Sequence, residues 1–531
     1  PIRPPHHTGG ICLIKLEVRK NAYYDSVTLM LISKDVKKLE GIEEALVGMG
    51  TELNREIAAN LGLDAPGFEA VGPNDFFVAV RCGDEAAFTN AIETVDTLIN
   101  KKADSEAAAY TPPTLEGALK MDPNLNMAVI SVPGKFAAGV AQECLDKNIH
   151  VMLFSDNVTV DEERELKTFA AERGLLVMGP DCGTAIINHV PLAFANVVKP
   201  GGIGIVAASG TGTQEVSSLV DQLGGGVSQV IGTGGRDLKK EIGGIMMTMG
   251  LESLIDDEAT KVIVLISKPP AKEIATQILT LATKTDKPVV VCFIGGDPAE
   301  IRSFGLHAAL SLEDAAYKAV ALLKGEEVKD FVGFTMGQAE AEALAKEEAG
   351  KMAPSQRYVR GLFTGGTLCD EAMKLLKEGL GHIYSNIPLD PADLIEEART
   401  AKSRENTFLD FGDDAFTVGR PHPMIDPSLR AERVITEGDD PETSVIFTDC
   451  VIGYGSHPDP AEDLSEAIRK AKANAQQAGR HITAVVSVCG TEGDPQGLTA
   501  TREKLRAAGA LVFPSNAQAT RFVQLLLGNL A

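Results

Sequence analysis

The sequence predicts an α/β protein of parallel sheets behind a smaller α+β module, and three observations carry that expectation. From residue 127 onward, apolar strand-like runs alternate with helical periods. Those runs are continuous, as in Lys261-Val262-Ile263-Val264-Leu265-Ile266, which is the pattern of parallel strands buried on both faces. Glycine-rich turns recur where the strands run into helices.

Taken in order, the first 104 residues alternate strand and helix on a smaller scale. A strand at 14–19 leads to a helix over 25–38; Ala45-Leu46-Val47 precedes a helix over 52–61; Phe76-Phe77-Val78-Ala79-Val80 precedes a helix over 84–102. Strands with interleaved helices predict a ferredoxin-like sandwich, for which a structural or regulatory role is the default. Thr111-Pro112-Pro113 and Asp122-Pro123 mark a linker. Residues 105–200 then read as a Rossmann-like unit with strands at 127–132, 150–154 and 175–178 and helices at 136–148 and 161–173. Residues 201–335 read as a flavodoxin-like unit with strands at 203–207, 228–231, 261–266 and 288–293. A linker over about 324–356, holding an acidic helix at 338–348, leads into the last unit, 336–531. Its strands fall at 358–363, 444–448, 482–488 and 510–513, with a long polar excursion at about 382–443. An excursion of that length without regular structure is usually functional or mobile.

Composition narrows the function classes. A net charge of −24 disfavours a nucleic-acid partner, which selects basic stripes. It also requires any anion site to be local, because exposed charges are screened beyond about 8 Å. The eight cysteines include no Cys-x-x-Cys pair, so neither a zinc knuckle nor a dithiol centre is expected. No apolar run is long enough for a membrane span, and residues 1–10 carry no leader pattern. The expectation is a cytoplasmic protein without a metal.

Five glycine-rich turns sit at predicted strand ends. They are Ala207-Ala208-Ser209-Gly210-Thr211-Gly212-Thr213-Gln214 before a helix at 215–223, Gly232-Thr233-Gly234-Gly235-Arg236-Asp237, Gly295-Gly296-Asp297-Pro298, Thr364-Gly365-Gly366-Thr367, and Gly490 through Gln496. Small residues let backbone N–H groups approach an anion, and a helix start adds a favourable partial charge. None is a P-loop, because Gly-x-x-x-x-Gly-Lys-Ser/Thr does not occur. Ser209, Gly210, Thr211, Gly212 and Thr213 are the candidates for one anion cradle, and Gly234, Gly235 and Arg236 for a second.

Three segments, two of them overlapping these turns, carry a resemblance. Gly179-Pro180-Asp181-Cys182-Gly183-Thr184, Gly204-Ile205-Val206-Ala207-Ala208-Ser209-Gly210-Thr211 and Gly232 through Asp237 resemble, in order and spacing over about 127–320, the α subunit of succinyl-CoA synthetase. Tyr23-Tyr24-Asp25-Ser26-Val27-Thr28 and Phe411-Gly412-Asp413-Asp414 through Arg420-Pro421-His422-Pro423 resemble the FdrA proteins, and that resemblance covers the whole chain. It implies a succinyl-CoA synthetase-type core, with a C-terminal unit similar to the ligase domain of the β subunit.

Departures from the synthetase bear on mechanism. Its phosphohistidine loop is nearest to Gly305-Leu306-His307-Ala308-Ala309, where a residue is inserted and a glycine lost. Ser267-Lys268-Pro269-Pro270 stands where a glutamate is expected. The Gly-x-Thr-Gly-x-x-Gly half of a CoA site has no counterpart before Met127, although Val132-Pro133 resembles a CoA-contacting turn. Nothing resembles an ATP-grasp domain.

The resemblance implies a companion-dependent oxamate carbamoyltransferase of allantoin and purine degradation, converting oxalurate and phosphate to oxamate and carbamoyl phosphate. Small anionic substrates and companion subunits are then the expected partners. Arg420 is the candidate clamp for a substrate carboxylate and His422 the candidate proton donor or acceptor near neutral pH, with Asp413 and Asp414 available to orient Arg420 or bind a metal. An alternative is an ADP- or GDP-forming acyl-CoA ligase with a separate ATP-grasp chain, which predicts CoA binding and phosphorylation of His307. A further alternative is a scaffold or ligand sensor without turnover.

Overall fold

The computed structural model describes residues 13–20, 22, 24, 26–63, 65–72, 75–105, 112, 114–417 and 420–530. Cys12, Tyr23, Asp25, Thr111, Pro113, Val418 and Gly419, which entered the expectations above, lie outside them. The chain divides into two compact units: Pro1–Pro123 with Thr417–Pro421, and Asn124–Phe416 with His422–Ala531.

In the first unit, strands β1 (Leu13–Arg19), β2 (Ile42–Met49) and β3 (Phe76–Cys82) form one sheet in the order β1-β3-β2. Both outer strands run antiparallel to β3. Helices Ser26–Lys37 and Glu85–Ser105 contribute to a core in which Leu29, Val36, Phe76, Val78 and Val95 are buried. Each such side chain contributes about 1.5–3 kcal/mol through its removal from water.

The second unit holds three sheets. The smallest is parallel, in the order β4 (Met127–Ile130), β5 (His150–Leu153), β6 (Val177–Met178). A hairpin follows that periodicity did not reveal, β7 (Thr184–Ile187) and β8 (Val190–Ala193). It joins a sheet with β9 (Pro200–Ala207), β10 (Val227–Gly232), β11 (Val262–Ser267), β12 (Val289–Phe293) and β13 (His307–Ala308). The order there is β13-β12-β11-β9-β10-β7-β8, and β9 through β13 pair in parallel.

The third sheet contains β14 (Tyr358–Phe363), β15 (Tyr384–Ser385), β16 (Thr407–Asp410), β17 (Thr443–Val451), β18 (Thr483–Cys489) and β19 (Ala510–Phe513). It is wholly parallel, in the order β15-β16-β14-β17-β18-β19. The stretch read as a polar excursion is structured: β15, β16 and helix Ser428–Asp439 all fall in it. Its strands are too short for the sequence pattern to show them. Ile205, Val216 and Leu312 from one lobe share a single buried cluster with Phe363, Leu368, Phe447 and Phe522 from the other. The two larger sheets are therefore built around one core. Among the described residues no helix is long and apolar enough to cross a membrane.

Candidate functional site

In parallel sheets the strand ends carrying loops into helices are where ligands bind. β9 and β14 each end in such a loop, and tertiary structure brings the two together. Ser209 caps helix Gly210–Gln222 by accepting a hydrogen bond from Gly212 N at 3.1 Å. Its hydroxyl also bonds to Thr367 Oγ1 at 2.7 Å, in the first turn of helix Gly366–Leu380. The contact is reciprocal, since a Cβ on Gly365 would lie 2.8 Å from Thr211 side-chain atoms. Two helix starts thus face each other. The first-turn N–H groups of Gly210, Thr211, Gly366 and Thr367 have no acceptor within their own helices.

The helix begins at Gly210 rather than near 215, so Gly210, Thr211, Gly212 and Thr213 form its first turn and not a preceding loop. The hydroxyl of Ser209 explains this, because a serine cap offsets the poor helix propensity of the two glycines. Thr213 Oγ1 is taken by Ser209 O and is a structural bond.

The pairing is held from behind by two carboxylates. Glu215, on the first helix, accepts from Asn516 N at 2.9 Å, the start of helix Asn516–Gly528. Glu371, on the second helix, accepts from Leu312 N at 2.8 Å, the start of helix Leu312–Lys324. Each central helix therefore caps the outer helix of the opposite lobe. Burial, with Glu371 and Glu313 nearby, pushes Glu215 up to about 8. An unfolded glutamate ionises near about 4.3. The folded state keeps its proton longer, so stability is full below about pH 4 and is lost between about pH 4 and pH 8. Glu215→Gln is expected to flatten the fall in Tm between pH 5 and pH 8. An unchanged fall would mean that Glu215 is already ionised in the fold.

Strand register places two charged groups beside the helix starts. Ile266 pairs with Ala207, so Lys268, just beyond β11, stands alongside Ser209. Phe363 pairs with Asp410, so Asp410, at the end of β16, sits level with the last residue of β14, where the loop Thr364-Gly365-Gly366 begins. Lys268 is exposed, and its charge favours the ionised forms of both Asp410 and Asp181. Asp410 is buried; its Oδ1 accepts from Gly412 N at 2.9 Å and its Oδ2 lies 2.4 Å from where a Cβ on Gly366 would be. Burial pushes Asp410 up to about 7. Asp449 organises the second loop, accepting from Thr364 N at 2.9 Å and Gly365 N at 2.8 Å while paired with Arg430.

His422 reaches the same place. Its Nδ1 accepts from Met424 N at 3.2 Å, and its ring lies 5.3 Å from that of Phe194. Both His422 Nε2 and Asp410 Oδ1 fall within 3.2 Å of the position of a Cβ on Gly412. Burial pulls the imidazole down to about 4, which corrects the expectation that His422 exchanges protons near neutral pH. It is a fixed neutral ring with Nε2–H as donor. The group that titrates near neutrality here is Asp410. Thr367 lay in one of the glycine-rich turns and Lys268 in the segment standing where a glutamate is expected, but neither they nor Asp410 carried an assigned role in the sequence.

Other candidates are placed elsewhere. Arg236 donates to Val158 O at 2.8 Å and pairs with buried Glu163 at 2.9 Å, so its guanidinium is already engaged by the protein. Gly234 has φ +81°, and a Cβ there would lie 2.4 Å from Pro180 O, so this loop is a packing joint with the Gly179-Pro180 turn. Gly235 has open space before it. Asp494 closes the Gly490 loop by accepting from Thr491 N and Val197 N, both at 2.7 Å. Lys374 fills the space against Gly295. His307 lies in β13, paired with Val290, at the sheet edge three strands from β9. At about 4.8 Å per strand, that is roughly 14 Å across the sheet from the strand that leads into Ser209. Arg420 is exposed and belongs to the segment grouped with the first unit. Asp413 and Asp414 join no cluster of metal-ligating side chains among the described residues.

Families described as CoA-ligase, CoA binding domain, and AllF, heavy metal-associated domain match residues 362–526, 198–295 and 12–113 respectively. The chain is 44% identical over 503 residues to "Uncharacterized protein YahF" of Escherichia coli (strain K12), covering 95% of this chain and 96% of that protein. It is 32% identical over 171 residues to the ADP-forming succinate–CoA ligase subunit alpha 2 of Archaeoglobus fulgidus, covering 31% of this chain and 57% of that subunit. A solved structure of the dinucleotide-forming acetyl-coenzyme A synthetase 1 of Korarchaeum cryptofilum, apo form, aligns with TM-score 0.34 and 17% identity over 79% of this chain and 85% of that one. Fold and matched domains define a CoA-ligase-like, acyl-CoA synthetase class of protein. Within that class, the chain belongs to the FdrA family of succinyl-CoA synthetase-like proteins.

Those descriptions imply two groups, a heavy metal and CoA. Within 12–113, Cys82 is buried on β3 with its thiol toward Leu13 O, no Cys-x-x-Cys exists, and no metal-ligating cluster occurs among the described residues. The described residues of the first unit do not fit a heavy metal. For CoA, the turn Val132-Pro133 is fixed by Ser155 Oγ on Val132 N at 2.9 Å. What precedes β4 among the described residues is helix Leu115–Met121, not a glycine-rich strand-to-helix loop. Among the described residues, nothing ahead of β4 provides the glycine-rich half of a CoA site.

Proposed function

We propose that this chain is the acyl-phosphate-handling subunit of a CoA-ligase-like enzyme. The facing starts of helices Gly210–Gln222 and Gly366–Leu380 hold the phosphoryl group, Lys268 neutralises it, and the acyl group passes to an acceptor. The Ser209–Thr367 contact carries this reading, because it aims two sets of backbone N–H groups and two favourable helix ends at one place. Nucleotide chemistry falls to a companion chain, in keeping with relatives described as ligase α subunits. The matched families favour the CoA thiol as acceptor, with the missing half of its site supplied by that companion.

A second reading is supported by His307. With this histidine on an edge strand and a lysine beside Ser209, the site suits an acyl phosphate that arrives ready-made. Carbamoyl phosphate with oxamate as acceptor is such a pair, and it dispenses with a phosphohistidine.

Release of inorganic phosphate from acetyl phosphate with CoA, and from carbamoyl phosphate with oxamate, separates the readings. The chain is assayed alone and with the proteins encoded beside it. CoA-dependent release that persists in His307→Asn supports direct acyl transfer to CoA. Oxamate-dependent release supports carbamoyl transfer. Binding of phosphate without release from either donor would overturn both and leave a ligand sensor.

A further inference from the structure

We infer that Asp410 is the proton-transfer group of this site, taking the proton of the acceptor as carboxylate and then holding the released phosphate as a neutral carboxyl. This assignment rests on the acyl-phosphate reading above. Its basis is placement. Asp410 lies at the end of β16, beside Phe363 by register, and its Oδ2 points at the first turn of helix Gly366–Leu380, where the anion is to sit. A permanent carboxylate there would compete with phosphate for the helix start.

The surroundings set a balance between the two protonation states. Lys268 and the Gly412 N–H favour the carboxylate, whereas burial, Asp413 and Asp449 favour the neutral acid. The thiol of Cys369 is buried nearby and held well above its ordinary range, so it stays neutral. His422 is neutral as well and presents Nε2–H toward the same point at Gly412. Asp410, brought near neutrality by this balance, is the group that gains and loses the proton.

In the transfer step the acceptor N–H or S–H gives its proton to the Asp410 carboxylate as the new bond to the acyl carbon forms. The acyl C–O bond to phosphate breaks, and phosphate leaves with the electron pair. Asp410, now neutral, donates a hydrogen bond to that phosphate. Loss of its proton to solvent restores the carboxylate and expels the product. The reverse reaction requires the neutral acid at the start.

Sulfate is the probe, because it remains a dianion from pH 6 to pH 8 and binds without turnover. If the neutral acid holds the anion more tightly than the carboxylate does, wild-type affinity falls by up to about tenfold between pH 6 and pH 8, while Asp410→Asn binds with a flat profile. In the acyl-transfer assay, the wild-type rate rises through about pH 7, and Asp410→Asn loses about 10²-fold in kcat with KM for the acyl phosphate little changed. A flat wild-type sulfate profile, measured on the unmodified protein, overturns the role of Asp410 whatever the variant does. A sloping wild-type profile that persists in Asp410→Asn overturns it equally. Absence of sulfate binding at every pH overturns the cradle itself. A sloping profile lost in Asp410→Asn, without transfer to any acceptor, keeps Asp410 as the anion-site acid and removes the acyl-transfer reading.

Discussion

Lys268→Glu is expected to lower phosphate release from the acyl phosphate by about 10²-fold, with most of the loss in KM for the donor. Lys268 follows Ile266, the register partner of Ala207, by two residues, and its charge acts on Asp410 and Asp181. In a chain of net charge −24, local positive charge must balance the incoming anion, and Arg236 is already engaged by Glu163 and Val158. Reversing the charge therefore sets a carboxylate against the phosphoryl group and removes the counter-charge of Asp410. Lys268→Gln, which is neutral and of similar length, should lose about tenfold at most. Equal activity of Lys268→Glu and wild type across donor concentrations would show that Lys268 does not face the donor. Because the side chain is exposed, the melting temperature should hardly move, which separates this effect from misfolding.

The second large effect is on stability. Lys167 is fully buried and bonds Glu163, Asp237 and Thr233 O, each at 2.8 Å. Asp237 also accepts from Met246 N and Met247 N, so the network anchors the start of helix Ile245–Asp256 to helix Val160–Ala171. Lys167→Met keeps the length of the side chain and leaves two carboxylates buried without their shared cation. Breaking a buried pair from one side costs about 3–5 kcal/mol. Denaturant unfolding followed by circular dichroism should show the midpoint falling accordingly. A loss below about 1 kcal/mol would mean that water or rearranged partners reach the two carboxylates.

Much of the fold was legible in the sequence, for a physical reason. A strand buried on both faces must be apolar at every position, so Lys261-Val262-Ile263-Val264-Leu265-Ile266 announces β11 without reference to any partner. The helix start at Gly210 was read late because glycine lowers helix propensity, and only the Ser209 hydroxyl on Gly212 N reveals the cap. Strands such as β16 escaped because four residues in a polar surrounding carry too little period. The proton chemistry of His422 depends on burial, which no sequence pattern states.

The sequence by itself determined the parallel α/β class, the small leading module and the glycine-rich strand ends, because these depend on local period and on residues close together in the chain. It also determined that the phosphohistidine loop is altered and that no P-loop exists. Only tertiary structure decided which strand ends meet. Ser209 and Thr367 are far apart in the chain and share a hydrogen bond; Arg236, beside a glycine pair, turns to Glu163 instead; His307 is fixed in an edge strand. Strand order across the sheets and the crossed caps of Glu215 and Glu371 impose that selection, and both arise from packing between residues that no local pattern connects.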